Sequence, residues 1–178
     1  MGVMRIGTKT LVFGGHQVLL HPLFVGMAWR RLYHCLPSWR EMVCIAIHDW
    51  GYWGKPDIDG EQGEQHPMWA AKKVGRWWGA RYYNLVAYHS RFLARKDDKP
   101  LSRLCLPDKY GVALMPTWLW ALLVWLSAEH EEYRHNEKYI LWLKPGDSLR
   151  AWFRSYKQLC QLWIDTGDPW RTPDRDGS

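Results

Sequence analysis

The sequence has few strand signals, no internal repeat, no low-complexity tract and no stretch that reads as a domain linker. These absences point away from sheet-based, solenoid and multidomain architectures. No two of the four cysteines, at 35, 44, 105 and 160, are spaced as CxxC, which removes zinc-ribbon and thioredoxin-type readings. No signal-peptide pattern is evident, so the cysteines read as reduced core thiols in a cytoplasmic protein. Charge is missing for 19 residues, from Tyr110 to Ala128, close to the length of a membrane span. Pro116 splits that stretch, and Gly111, Thr117 and Ser127 dilute it. Its clean apolar part, Trp118 to Leu126, is too short to span, so it reads as a buried core helix with no membrane contact.

What is present is a globular composition. The 178 residues are 47% hydrophobic and include 14 tryptophans. A chain of this length forms one domain and buries roughly two-thirds of its unfolded surface. Residues 1–178 are taken as a single unit, with a core over about 16–130, a C-terminal helix over about 147–164 and a frayed tail over 165–178. The net charge of +6 favours anionic partners: nucleotides, nucleic acid or phosphorylated metabolites.

"TLVF" and "HQVLL", before His21, read as short strands or loop. A helix is expected from Pro22, with Phe24, Ala28, Leu32 and Cys35 on one face, and "LPS" at 36–38 is a turn. Ser38 and Glu41 form a capping box. Behind it, Trp39, Met42, Val43, Ala46 and Ile47 recur at helical spacing and predict an apolar face. That helix delivers His48 and Asp49 at its end, and Gly51 and Gly54 stop it. A glycine-rich acidic loop follows, to about Gln65. Pro67 restarts a helix through "MWAAKKVGRWWGARYY", and a further helix carries "LVAYHSRFLARK". Pro107 interrupts a helical piece just before Asp108. A core helix then runs from Pro116 to about Tyr133. The last begins at Asp147, with Leu149, Trp152, Phe153, Tyr156, Cys160 and Trp163 on its apolar face. The expected fold is all-α.

Six side chains at helix ends carry metal-binding chemistry: His21, His48, Asp49, His66, His89 and Asp108. Neutral imidazole and carboxylate suit divalent Fe, Mn, Co, Ni or Zn. A carboxylate can bridge two ions through its two oxygens, and imidazole cannot, so Asp49 is the natural bridge. His21, His48 and Asp108 complete one shell, leaving His66 and His89 for a second ion. His34 competes with His21 but lies only 14 residues before His48. His16, His130 and His135 read as structural, the last two on the solvated charged run "EHEEYRHNEK".

The order H, HD, H, H, D resembles the HD superfamily of metal-dependent phosphohydrolases in its dinuclear form. The matching pieces are "HPLFVGMAW" from His21, "HDWG" at 48–51, "HPMWAA" from His66, "YHS" at 88–90 and "PDK" at 107–109. Many members carry glycine and lysine together soon after the HD pair; here Lys55 lies four residues past Gly51. The resemblance covers roughly residues 16–130. It implies a compact helical bundle with the ligands converging between helices and two divalent ions as cofactors.

The function this implies is hydrolysis of a nucleotide or related phosphoester, with Asp49 as bridge and Lys109, Arg91 and Lys55 as candidate phosphate-binding residues. The substrate is a small anionic molecule, and stable nucleic-acid binding is not expected. A mixed-valent di-iron oxygenase shares the ligand set, and a non-catalytic module with a structural metal is a third class. The loop acids Asp57, Asp59, Glu61 and Glu64 read as substrate-facing or solvated. The "KKVGRWWGARYY" run offers base stacking, with core packing of Trp77 or Trp78 the competing reading.

Overall fold

The computed structural model describes residues 4–135 and 148–170. Among them the chain is all-α, with no strand. The helices are α1 (Ile6–Phe13), α2 (Leu20–Tyr33), α3 (Trp39–Ile47), α4 (Pro67–Trp78), α5 (Ala80–Ala87), α6 (Arg91–Lys96), α7 (Cys105–Leu114), α8 (Thr117–Ser127), α9 (Glu129–His135) and α10 (Leu149–Thr166). Two single 3-10 turns, Trp50–Tyr52 and Gly63–Gln65, lie between α3 and α4.

The centre of the bundle is a close crossing of α2 and α7. Gly111 allows it: a Cβ there would lie 2.8 Å from the Val25 nitrogen and 2.9 Å from its Cα. Val25 sits one turn after His21, and Gly111 one turn after Asp108, so this contact sets how near those two side chains come. Gly111→Val would press a branched side chain against backbone that cannot rotate away. It is expected to lower stability by about 1–3 kcal/mol or more, and chemical denaturation measures the loss.

α3 starts as its sequence dictates. Ser38 Oγ accepts from the Glu41 amide, and Glu41 Oε2 accepts from the Ser38 amide at 2.8 Å. Its buried face differs from the periodicity. Trp39 and Met42 are exposed, and the residues turned inward are Glu41, Cys44, Ile45 and His48. The segment is apolar almost all round, so hydrophobic spacing leaves its rotation open, and burial of His48 decides it. α2 is rotated by a similar step: it buries His21, Val25, Ala28 and Trp29, and Cys35 lies exposed beyond its end. The other three cysteines are buried, and all four are free.

Other expectations are corrected. "TLVF" lies in α1, and Leu11 packs beside Tyr52 and Ile58. The helix after Pro67 breaks at Gly79, whose φ of +88° is left-handed and suits glycine. "LVAYHSRFLARK" is likewise split between α5 and α6, with His89 in the break. Pro107 does not interrupt a helix: it occupies the first turn of α7, where its missing N–H would have had no partner. The expected long helix after Pro116 ends at Ala128, at φ +65°, and α9 starts afresh.

α8 is only half a core helix. Trp120 and Val124 stack into a cluster with Trp152 and Phe153, while Trp118, Leu122 and Trp125 face outward. No single helix among the described residues is long and apolar enough to cross a membrane; α7 and α8 reach that length and composition only as a pair bent by 103°. α10 buries Trp152, Phe153, Leu159, Cys160 and Trp163, largely the face its spacing predicts, and Ser148 caps it. Asp147 and residues 171–178 lie outside the described residues.

Candidate metal centre

The structure draws all six sequence-named ligands to one place. His21 comes from the first turn of α2, His48 from the end of α3 and Asp49 from the residue after it. His66 immediately precedes α4, His89 lies between α5 and α6, and Asp108 sits in the first turn of α7. Every one is buried. Their ligand atoms fall into two groups, His21/His48/Asp49/Asp108 and Asp49/His66/His89, each with all atoms within 4.8 Å of one another. Asp49 belongs to both.

His21 Nε2 lies 3.0 Å from Asp108 Oδ1 and 3.3 Å from Asp49 Oδ2. His48 Nε2 is 3.3 Å from Asp108 Oδ1 and 3.4 Å from Asp49 Oδ1. On the other side, His66 Nε2 is 3.3 Å from Asp49 Oδ1, and His89 Nε2 is 3.8 Å from the same oxygen.

The imidazole tautomers can be read from the backbone. Nδ1 of His48 lies 2.7 Å from the Ile45 carbonyl, Nδ1 of His66 2.8 Å from that of Gly63, and Nδ1 of His89 2.6 Å from that of Val86. A carbonyl only accepts, so Nδ1 carries the proton in each ring and, in the neutral form, Nε2 presents a lone pair. Those lone pairs point at carboxylate oxygens and at one another: His66 Nε2 and His89 Nε2 are 3.3 Å apart. Acceptors gathered against acceptors in a buried space repel unless a cation lies between them. The donor set therefore fits divalent metal, and the backbone bonds fix each ring as outer partners of metal-bound histidines do.

The neighbours strengthen that geometry. Tyr52 stacks on the His66 ring at 4.0 Å and 14°. His16, read as structural from sequence, contacts the rings of both His21 and Tyr52, and its Nδ1 is 3.1 Å from Thr10 Oγ1. Glu129, expected on a solvated run, is fully buried and accepts from the Gly15 amide, the Ser127 hydroxyl and the Tyr133 hydroxyl. It anchors the loop before α2. Charge in "EHEE" hid it; alternation of Glu129 with the aromatic Tyr133 one turn on was the available signal. Asp57 is a loop closer, accepting from the Gly63 amide at 2.6 Å, and Glu132 holds the Ile58 and Asp59 amides.

The three basic candidates stand in different places. Lys109 Nζ is 2.8 Å from Asp108 Oδ2, so its charge already faces a ligand carboxylate. Arg91 lies over the Trp163 ring at 4.6 Å and donates to the Pro169 carbonyl, tying the end of α10 to α6. Lys55 lines a cleft beside Gly51.

Electrostatics give the metal-free cluster a pH signature. Burial pulls the His21 pKa down, but hydrogen bonds to Asp108 and Asp49 outweigh it and raise it from 6.5 to about 9. Its stabilising contribution is therefore full below 6.5 and is lost as pH rises through about 9. Burial, with the His48 charge behind it, holds His89 down at about 3, and burial does the same to His16. Those two favour the folded state above 6.5 and lose that contribution as pH falls toward 3. The chelated protein should thus be most stable near pH 6.5. Metal at His21 competes with its proton, so loading should remove the alkaline decline. Melting temperature against pH, with chelator and with manganese, measures both limbs.

No family model, curated protein or solved structure matches this chain, so the functional reading rests on the site itself.

Proposed function

We propose that the chain is a metal-dependent phosphohydrolase of the HD type, cleaving a nucleotide or related phosphoester at a dinuclear centre. The observation that carries the reading is the position of Asp49: its carboxylate is shared by two buried donor groups, one of which sets two histidine acceptors 3.3 Å apart. When bound there, two divalent ions supply Lewis acidity and an activated water for in-line attack on phosphorus. The chain's own residues do the rest. Asp49 faces both groups, with Oδ2 toward His21 and Oδ1 toward His48, His66 and His89. His21, His48 and Asp108 would hold one ion with it, and His66 and His89 the other. Backbone carbonyls keep three of the rings from turning, so the donors need little reorganisation. Lys109 holds Asp108 as a charged acceptor: burial opposes ionisation there, but the lysine charge beside it keeps its carboxyl well below the usual range.

The di-iron oxygenase uses the same donors. Phosphate chemistry is favoured by Lys109 against Asp108 and by the cations of the cleft that Gly51 and Gln65 line, in a chain of net charge +6. The test is metal reconstitution with an ion count per chain, followed by a phosphate-release screen across mono-, tri-, cyclic and dinucleotides. Two ions per chain and release from one nucleotide class are expected. One ion at saturation overturns the dinuclear assignment. Aerobic turnover with iron that manganese does not support replaces the hydrolase by the oxygenase, and a chain that takes up no metal is a binding module.

A further inference from the structure

α4 turns Ala70, Ala71 and Val74 into the core. Its opposite face carries Lys72, Lys73 and Arg76 among Trp69 and Trp77, all exposed. Trp53 and Lys55 line with them a cleft of about 590 Å³. Four cations and three tryptophans thus share one concavity, and none of its lining residues is acidic. Both features cost free energy in an empty cleft. Lys72 and Arg76 lie four apart on one helix face, where like charges repel. Trp53, 69% exposed, leaves a large apolar ring in water. A ligand with several negative charges and a flat ring relieves both at once. Lys73 is held at the cleft by a cation–π contact, its Nζ 4.9 Å from the Trp69 ring.

The cleft is lined in part by backbone neighbours of the candidate metal centre. Gly51 and Gln65 are among its lining residues, the first two residues after Asp49 and the second directly before His66. Its volume is that of a site for one small molecule, not a groove for a strand.

We infer that this cleft binds a nucleoside polyphosphate, with the phosphate chain on Lys55, Lys72, Lys73 and Arg76 and the base stacked on the tryptophans. Its role as a substrate site rests on the phosphohydrolase reading; its role as a binding site does not. A terminal phosphate reaches the centre while the remaining phosphates run along α4. The expected substrate therefore carries more than one phosphate, and a nucleoside monophosphate is a poor one.

The experiment titrates the full chain with adenosine 5′-(β,γ-methylene)triphosphate, tripolyphosphate, adenosine and hexathymidylate, followed by calorimetry. The triphosphate analogue should bind at least about tenfold more tightly than tripolyphosphate, the difference being the stacked base. Trp53→Ala and Trp77→Ala together should erase that difference. Lys72→Ala and Arg76→Ala should each weaken both triphosphates roughly tenfold and flatten their salt dependence. No binding of the analogue, or binding that none of these variants changes, overturns the proposal. Tighter binding of hexathymidylate than of the analogue also overturns it and makes the cleft a strand-binding surface. Phosphate release, measured on the same proteins, separates the two readings. Binding that depends on the cleft, with no release from any nucleotide, keeps the cleft and removes the hydrolase. Release with an unchanged KM in every variant keeps the hydrolase and removes the cleft.

Discussion

Asp49→Ala is expected to abolish turnover and to leave the chain unable to hold two ions, with the fold retained. Among the described residues, Asp49 is the one side chain common to both donor groups: it lies 3.3 Å from His21 on one side and 3.3 Å from His66 on the other. Without it, one position keeps two histidines and Asp108, and the other keeps two neutral histidines alone. Two dications would then sit close together with no carboxylate between them, which their mutual repulsion forbids. The loss in kcat/KM should be at least about 10³-fold, the upper end of what removal of a single transition-state-stabilising donor costs. Elemental analysis should fall below two ions per chain. His34→Ala is the control. That side chain is exposed at the end of α2, so metal content and rate should stay as they were. If instead His34→Ala empties the site and His21→Ala does not, the first ligand is misassigned.

The six members of the buried cluster were legible in the sequence because their chemistry is sparse. Histidine and aspartate at helix ends, separated by glycine and proline, mark positions that packing alone does not require. The helix faces were less legible, for a physical reason. Trp39, Met42, Val43, Ala46 and Ile47 follow helical spacing, yet Cys44 and Ile45 on the other side are the buried pair. A segment apolar on every side has no preferred rotation until something else fixes it. Here the fixing element is His48: counting back three, four and seven residues from it gives Ile45, Cys44 and Glu41, the face observed. The buried histidine set the phase, and the hydrophobic pattern followed.

Breaks were illegible where they rest on backbone conformation. "GRWWGARYY" reads as one helix, since a single interior glycine costs only about 1 kcal/mol; Gly79 at φ +88° ends it. Ala128 does the same at φ +65° with no glycine to announce it. Burial of the adjacent Glu129, held by Gly15, Ser127 and Tyr133, outweighs the local strain, and these partners are remote or unremarkable in sequence. The tryptophans divide in the same way. Trp78 packs against the core, while Trp77 next to it stands exposed in the basic cleft. Identical residues side by side give no hint of this, because only the rotation of α4 separates them.

Gly51→Ala should disable the centre although residue 51 supplies no ligand. Gly51 lies in the 3-10 turn that follows Asp49, and its Cα faces the carbonyl of His66 across the entry to α4. A Cβ added there would overlap that oxygen and its carbon. Backbone cannot swing aside as a side chain would, so the turn and the His66 segment must separate. Asp49 and His66 move apart with them, and their 3.3 Å approach is lost. Misplacement by about 1 Å at a reacting centre costs on the order of 10²-fold in rate. Affinity for the ion held by His66 and His89 should fall first, while the group around His21 and Asp108, built on the α2–α7 crossing, keeps its ion. Gly26→Ala is the matched control: a Cβ there meets nothing within 4 Å, and the residue is interior to α2. That change should raise stability by about 0.5–1 kcal/mol through helix propensity alone and leave metal content untouched. A Gly51→Ala protein with two ions and unaltered kcat/KM would mean that the site tolerates the separation, and that the glycine serves the loop and not the bridge.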